Sequence, residues 1–246
     1  MIQSIRQGTI GSRLAVPALL LLPLSVLAHR FGLFNFQLVI ALLALSLLIS
    51  LSIFICSVIA YFRNKDPLFR RNVRTTMLIS AVMPAILVGL IVSVASSPDG
   101  EKPLIHDVTT DTVNVPQFQA GIDERGSGSN SLAVEPDVIK QQIEGYPQLK
   151  TLVSSLDSEA AFQRATDIAI ALGWEIYNSD KDKGIIEASD TTRIWGFVDD
   201  IVIRIQANNA DIGSLIDLRS VSRVGQGDLG ANAKRIKKFI ASFNEK

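Results

Sequence analysis

The sequence contains a single cysteine, Cys56, which lies inside a long apolar run. One thiol can form neither a disulfide framework nor a cluster of metal-binding thiolates. We predict no metal site and no cofactor, and cysteine usage leaves the redox compartment undecided.

Acidic residues are almost absent from the first part of the chain. Residues 1–97 carry eight Lys and Arg against one acid, Asp66, whereas residues 98–246 carry the other sixteen basic residues and 23 acids. The formal net charge of zero is therefore the sum of a basic first part and an acidic second part. A surface that binds nucleic acid needs a concentration of basic residues, so the acidic second part argues against nucleic acid as a partner.

Three long apolar runs lie in the first part of the chain, of which the second and third hold no charge and the first is interrupted by His29 and Arg30 near its end. A helix needs ~20 apolar residues to cross a bilayer, and we predict transmembrane spans at about residues 14–33, 38–62 and 75–95. The first run has an alternative interpretation as a cleavable signal peptide, because Arg6 and Arg13 precede a short apolar core that ends at Ala28.

The connections between the runs indicate an orientation. Residues 63–74 carry five cations, whereas residues 28–37 carry one. Cytoplasmic connections are enriched in Lys and Arg, so we place residues 63–74 in the cytoplasm. The third span then delivers residue 98 onward to the far side of the membrane. The second and third runs hold no charged group of the kind that a transport site or a proton relay needs, and we interpret residues 1–97 as an anchor.

The remainder of the chain predicts an α+β domain behind an arm. Prolines, serines and glycines indicate that residues 98–148 form an extended arm with a flexible loop. We expect no core strand at residues 103–118, because proline cannot donate to a sheet ladder. From residue 149 to residue 246 the order is strand, helix, four strands, helix. This order predicts an antiparallel sheet of about five strands with both helices on one face.

Several motifs in this second part resemble a bacterial family catalogued as domain of unknown function 1499. They are IHDVTTD at 105–111 with PQF at 116–118, GWEI at 173–176, GFVDD at 196–200, RSVSRVG at 219–225 and DLGANAKRI at 228–236. The resemblance covers roughly residues 103–243. Two departures are visible, namely Val115 before Pro116 where the family usually has a double proline, and a serine–glycine loop that looks like an insertion. The resemblance implies the fold and a bacterial envelope setting, and it implies no reaction.

The first candidate site is a charged face of the predicted sheet. Strand alternation places Arg204 on one strand and Asp217, Arg219 and Arg223 on the next, all on the same face. One hypothesis is a polar pocket in which the arginines bind an anionic ligand. The alternative is a solvated ladder of charges that holds the strands in register.

Two further candidates lie outside that face. Residues 225–230 could bind phosphate at a helix N-terminus, but Asp228 would place a negative charge there, which favours a capped turn. His106, Asp107 and Asp111 in the arm could act as metal ligands or as a general base. The alternative is that His106 only fixes the arm to its domain through hydrogen bonds.

Together these features favour a non-catalytic function. The leading hypothesis is a multi-pass protein of the bacterial inner membrane that presents its α+β domain to the periplasm for binding or scaffolding in the cell envelope. We expect the lipid bilayer and either an envelope protein or a small anionic ligand as partners. The alternative is a small envelope hydrolase or metal-dependent enzyme that uses His106 and Asp107 with the arginine-bearing face.

Overall fold

The computed structural model describes residues 2–95, 102–126, 128–193, 195–209 and 212–245. The chain divides into two compact units, Met1–Pro98 and Asp99–Lys246. The first unit is helical and apolar, and the second combines a sheet with helices. This is the α+β fold behind a helical region that the sequence predicts.

Three long helices form the first unit: α1 (Ile2–Arg30), α2 (Phe36–Arg63) and α3 (Pro67–Ala95). The stretches Arg13–Arg30, Phe36–Arg63 and Pro67–Gly89 are long and apolar enough to cross a membrane. Serines mediate part of the helix packing, as the Ser46 hydroxyl donates to the carbonyl of Ala18 at 2.5 Å. Such apolar helices indicate association with a membrane.

The third helix begins eight residues before the predicted span. Asp66 is the reason, because its Oδ1 accepts hydrogen bonds from the amides of Leu68 at 2.8 Å and Phe69 at 3.4 Å. Pro67 occupies the first helical position, where its missing N–H has no cost. The basic connection is therefore a short turn, and three of its five cations, Arg70, Arg71 and Arg74, lie on the first two turns of α3.

The second unit is built on a six-stranded antiparallel sheet. Its elements in chain order are β1 (Asp107–Thr109), α4 (Gly121–Glu124), α5 (Pro136–Gly145), β2 (Leu152–Ser154), α6 (Ser158–Ala171), β3 (Glu175–Asp180), β4 (Ile185–Thr191), β5 (Val198–Ala207), β6 (Ser214–Ser222) and α7 (Ala231–Asn244). Strands β3, β4, β5 and β6 follow one another across the sheet, and β1 and β2 pair with successive parts of the outer edge of β6.

Helices α6 and α7 cover one face of the sheet, as predicted. Asp157 caps α6 by accepting the amide of Ala160 at 2.8 Å. The core on this face joins the alternating isoleucines of β5 with residues of β6 and the apolar sides of both helices. Its largest fully buried members are Ile105, Ile186, Ile201, Ile203, Ile216, Leu218, Ile236 and Phe239.

The expectation that the arm holds no core strand is wrong. Residues 107–109 form β1, which lies between Pro103 and Pro116 and contains no proline, so its amides remain available to the ladder. The carbonyl of His106 accepts the amide of Ser222, and the amide of Thr110 donates to Leu218.

A second segment of the arm covers the other face of the sheet. We call residues 111–132 the covering segment. From it Phe118 and the half-buried Leu132 pack on Ile185, Val202 and Val221, which are all buried. Both faces of the sheet are therefore covered, one by helices and one by a segment with little regular structure.

Candidate functional site

The charged face predicted from strand alternation lies under the covering segment. Glu187, Asp200 and Arg219 have no exposed surface, and Asp217 is 2% exposed. The ladder of charges is therefore not solvated. A buried charge is tolerated only where partners satisfy it, so the question for each group is which partner it has.

Arg219 on β6 is bound from three directions. Its Nε donates to Asp107 Oδ1 at 3.0 Å, and its Nη2 donates to Asp107 Oδ2 at 2.7 Å. The same guanidinium donates to the carbonyls of Leu132 at 2.9 Å and Pro116 at 3.3 Å. Its Cζ lies 5.7 Å from the centre of the Phe118 ring. One side chain thus joins β6 to β1 and to both ends of the covering segment.

Asp200 on β5 forms a second link. It accepts two hydrogen bonds from Arg223, at 2.9 Å from Nε and 2.8 Å from Nη2. Arg125 of the covering segment donates at 2.5 Å to Asp200 Oδ2, the oxygen that also accepts Arg223 Nε, and it donates to the carbonyl of Asn130 as well. The bidentate pair is the strong geometry for arginine and carboxylate.

Glu187 on β4 accepts backbone amides of the covering segment. Its oxygens lie 2.6 Å from the amide nitrogen of Gln119, 2.8 Å from that of Ala120 and 3.3 Å from that of Gly121. Asn178 donates to it at 2.6 Å. The sequence analysis did not select Glu187 or Arg125. The available signal for Glu187 was a carboxylate in the middle of a strand whose neighbours are apolar.

Arg204 on β5 links two of the predicted carboxylates. Its Nη2 donates to Asp217 at 2.8 Å and to Asp111 at 2.9 Å, and its Nη1 donates to the carbonyl of Asn114. Asp217 is the direct partner of Arg204 across the ladder between β5 and β6. Asp217 also accepts the hydroxyls of Thr110 and Thr151, at 3.0 and 2.6 Å.

The pKa of Asp111 is lowered from its ordinary value of 3.8. Partial burial raises it, but amide hydrogen bonds from Asn114 and Val113 and the charged hydrogen bond from Arg204 lower it by more. The folded protein therefore favours the ionised form of this carboxyl group.

His106 immediately precedes β1 and is partly exposed. Asp107 is the first residue of β1 and faces the covering segment, where it binds Arg219. No hydrogen bond within the described residues joins the ring of His106 to Arg219 or Asp217, while its carbonyl accepts from Asn232 Nδ2 at 3.0 Å.

A second buried polar network lies on the face of the sheet that α6 and α7 cover, where α7 begins. Asn232 bonds Ser220 and Ser222 at 2.7 and 3.0 Å, and Arg235 donates to Asp199 at 2.6 Å and Asp190 at 2.9 Å. The sequence analysis missed Asn232 and Arg235 because both look like ordinary polar positions of an amphipathic helix.

The glycine-rich turn at residues 225–230 is a capped turn at the start of α7. The sequence favoured this interpretation over a phosphate site. Asp228 accepts the amides of Gly230 and Asn232, both at 2.7 Å. Burial raises the pKa of Asp228, and the charge of Asp199 adds to the rise, whereas the amide bonds oppose it. These amides are therefore not free to bind a phosphate, and the carboxylate of Asp228 lies where a phosphate would bind.

The balance of charge on the covered face decides what it can bind. Four arginines meet five carboxylates there: Arg125, Arg204, Arg219 and Arg223 with Asp107, Asp111, Glu187, Asp200 and Asp217. No surplus of positive charge is left for an anion. Among the described residues, no group of three or more His, Cys, Asp or Glu is arranged to hold a metal ion. The ligand-binding role assigned to the predicted residues stays a prediction.

An open groove of about 650 Å³ lies at the edge of this face. Asp111, Lys150 and the exposed Ile143 contribute both charges and an apolar surface to it. The other lining residues are Thr110, Thr112, Gln142, Tyr146, Pro147, Leu149 and Thr151. Such a mixed lining suits a polypeptide better than a compact anion.

Comparison with family models finds a match to the second unit. The model of a family described as "Protein of unknown function (DUF1499)" matches residues 107–243, from the start of β1 into α7. No curated protein matches the chain. The matched region contains both buried polar networks and all but one of the predicted site residues, the exception being His106, which immediately precedes it.

Replacing Arg219 with methionine should destabilise the second unit strongly. The change leaves Asp107 buried without a cation and the carbonyls of Pro116 and Leu132 without a donor, which costs about 3–5 kcal/mol when a buried pair is broken. Denaturant unfolding followed by tryptophan fluorescence measures this, since both tryptophans, Trp174 and Trp195, lie in this unit.

The matched control is Lys181→Ala, which removes an exposed ion pair with Glu159 and should change the free energy of unfolding little. The double variant Arg219→Met with Asp107→Leu should recover part of the loss, because it leaves no unpaired charge. Equal effects of Arg219→Met and Lys181→Ala would contradict the assignment of Arg219 as a buried link.

The contribution of Asp111 should depend on pH. Because folding lowers its pKa, its stabilising effect is present above pH 3.8 and is lost as the pH falls through the folded value. The difference in unfolding free energy between the wild type and Asp111→Asn should therefore be largest near neutral pH and shrink below pH 3.8. A difference that stays constant across this range would show that the ionised carboxylate is not the stabilising form.

Proposed function

This chain belongs to the protein family of unknown function DUF1499, and we propose that it is a membrane-anchored protein that presents a non-catalytic binding or scaffolding domain. In this proposal the helices α1, α2 and α3 cross the inner membrane of a bacterium, and residues 99–246 face the periplasm. The domain then serves the cell envelope by binding a partner.

The observation that carries the proposal is the use of the charged groups. On the covered face, every arginine and carboxylate is engaged with another group of the same unit. A general acid or base must reach a substrate proton, and groups held in this way, under a covering segment, do not. The paired charges on the covered face stabilise the domain, and a partner would bind to the exposed surface of the domain.

The distribution of cations supports the orientation. Five Lys and Arg lie at residues 63–74, between α2 and the start of α3, against one acid. Connections rich in Lys and Arg stay in the cytoplasm. An odd number of crossings then brings the second unit to the opposite side.

For the partner, we favour an envelope protein over a small anionic ligand. The arginines expected to bind an anion are already paired with carboxylates. The groove beside Asp111 and Lys150 has an exposed apolar residue, Ile143, on α5. A peptide segment of a partner protein matches this combination of charge and apolar surface.

The enzymatic alternative is supported less well. It requires Asp107 to act on a substrate together with His106, but the Asp107 carboxylate is buried and paired with a cation. Asp107 is engaged by Arg219 through two of its nitrogens.

Complementation separates binding from catalysis. In a strain that lacks the protein, His106→Ala should restore the phenotype fully, whereas Ile143→Glu should fail because it places a charge in the groove. Both residues lie outside the fully buried core, so amounts of protein should match the wild type on immunoblots. Failure of an abundant, folded His106→Ala variant with success of Ile143→Glu would support the enzyme instead.

Reporter fusions test the orientation. Alkaline phosphatase fused after Lys246 should be active, because the enzyme folds only when it is exported to an oxidising compartment. The same reporter fused after Lys65, inside the basic connection, should be inactive although it is produced. The reverse pattern would place the second unit in the cytoplasm.

A further inference from the structure

The short connection between α2 and α3 presents cations that have no ion-pair partner among the described residues. We call residues 61–74 the basic turn. It contains the end of α2, three connecting residues and the first two turns of α3. In the sequence, the cations of this turn indicate only the orientation of the helices in the membrane. Their geometry in the structure indicates a further role.

Two of its charged residues hold the turn in shape. Arg70 donates from Nε to the carbonyls of Asn64 at 2.8 Å and Tyr61 at 3.2 Å, and its guanidinium lies 4.9 Å from the centre of the Tyr61 ring. It thereby satisfies carbonyls at the end of α2, where a cation is favourable. Asp66 caps α3 through the amides of Leu68 and Phe69. The one acid of the first unit is therefore directed at a helix end.

The other four cations are exposed. Arg63, Lys65, Arg71 and Arg74 all have solvent-accessible side chains. Within the part of the chain that the structure describes, none of them forms an ion pair or a side-chain hydrogen bond. This contrasts with the arginines of the second unit's covered face, which are all paired.

Apolar side chains lie beside these cations. Phe62 at the end of α2 is 73% exposed, and Leu68 on the first turn of α3 is 46% exposed. Leu68, Arg71 and Leu78 follow each other at helical spacing along one exposed side of α3. A cation with an apolar neighbour matches a molecule that has a phosphate next to an acyl chain.

We propose that the basic turn binds the headgroups of anionic phospholipids, with Arg71 and Arg74 as the main phosphate contacts and Arg63 and Lys65 as supporting charges. A guanidinium presents parallel N–H donors that match two phosphate oxygens. Basic clusters next to the cytoplasmic end of a membrane helix attract anionic lipids. Phe62 and Leu68 contact the first methylenes of the acyl chains.

This inference rests on the membrane anchoring in the proposed function, and it does not depend on which side the second unit occupies. Lipid retention is therefore measured on the purified full chain in detergent, where orientation has no influence. A fusion result that reverses the orientation would leave the lipid contacts in place, whereas a loss of lipid preference would leave the orientation in place.

The experiment counts bound lipids by native mass spectrometry. The protein is incubated with equal amounts of phosphatidylglycerol and phosphatidylcholine, which differ in net charge. We expect the wild type to retain phosphatidylglycerol preferentially. Arg71→Gln with Arg74→Gln should weaken that binding roughly tenfold, given the attraction that each basic side chain contributes near an anionic surface.

Two further variants control for fold and for net charge. Arg63→Gln with Lys65→Gln should also reduce the retention of phosphatidylglycerol, which separates the lipid site from a defect of α3 alone. Lys234→Gln with Lys238→Gln removes the same charge from exposed positions on α7 in the second unit and should leave retention unchanged. Circular dichroism should show equal helix content in all variants.

Three results would overturn the proposal. One is equal retention of both lipids by the wild type, and another is unchanged retention of phosphatidylglycerol in both variants of the basic turn. The third is full displacement of the lipid by inorganic phosphate at the same concentration, which would identify the turn as a site for free phosphate.

Discussion

The second unit depends on the burial of one charged side chain, that of Arg219. A guanidinium without exposed surface is unfavourable by many kcal/mol unless its donors are used. Here they are used by Asp107 on one strand and by the carbonyls of Pro116 and Leu132 on the covering segment. These partners lie about a hundred residues away in the sequence, so the side chain can be satisfied only when strand β1 and the covering segment are both in place. Because burial of Arg219 is unfavourable in any arrangement that leaves its donors unpaired, it favours this one arrangement of the chain.

The same principle is repeated on neighbouring strands. Glu187 accepts hydrogen bonds from three backbone amides of the covering segment, and Asp200 accepts one from Arg125 of the same segment. A segment with only one short helix is thus fixed by hydrogen bonds to charged groups, which are stronger than those between neutral groups. The apolar contribution on this face is small, since Phe118 and the half-buried Leu132 are the covering segment's side chains in the cluster. On this face, hydrogen bonds to charged groups fix the covering layer to the sheet. On the opposite face, apolar contacts of the helices do so. The sheet can therefore be covered on both sides although the long helices α6 and α7 cover only one.

Local patterns in the sequence were sufficient for some parts of this fold and insufficient for others. Alternation along β5 and β6 predicted that Arg204 and Asp217 share a face, and in the structure the two residues are direct partners across the ladder. Ile201, Ile203 and Ile205, at alternate positions of β5, lie in the core on the opposite face. Strand β1 escaped prediction because three residues between prolines carry too little periodicity, and its pairing with β6 spans more than a hundred positions. Glu187, Arg125, Asn232 and Arg235 escaped because their partners are distant in the chain, and a local pattern shows the charge of a residue but not its burial.

The chain uses arginine in two physically different ways, and the difference bears on function. In the second unit Arg219 and Arg235 are buried and fully engaged, so their charge contributes to folding and is hidden from any partner. In the first unit Arg71 and Arg74 are exposed, and the only nearby acid, Asp66, is occupied at a helix end. A charge acts on its surroundings only where no internal partner neutralises it. Counting arginines along the sequence therefore overstates the polar chemistry open to a ligand on the covered sheet face. In the first unit, four exposed cations without an ion pair among the described residues lie at the turn between α2 and α3, where the apolar helices indicate a membrane.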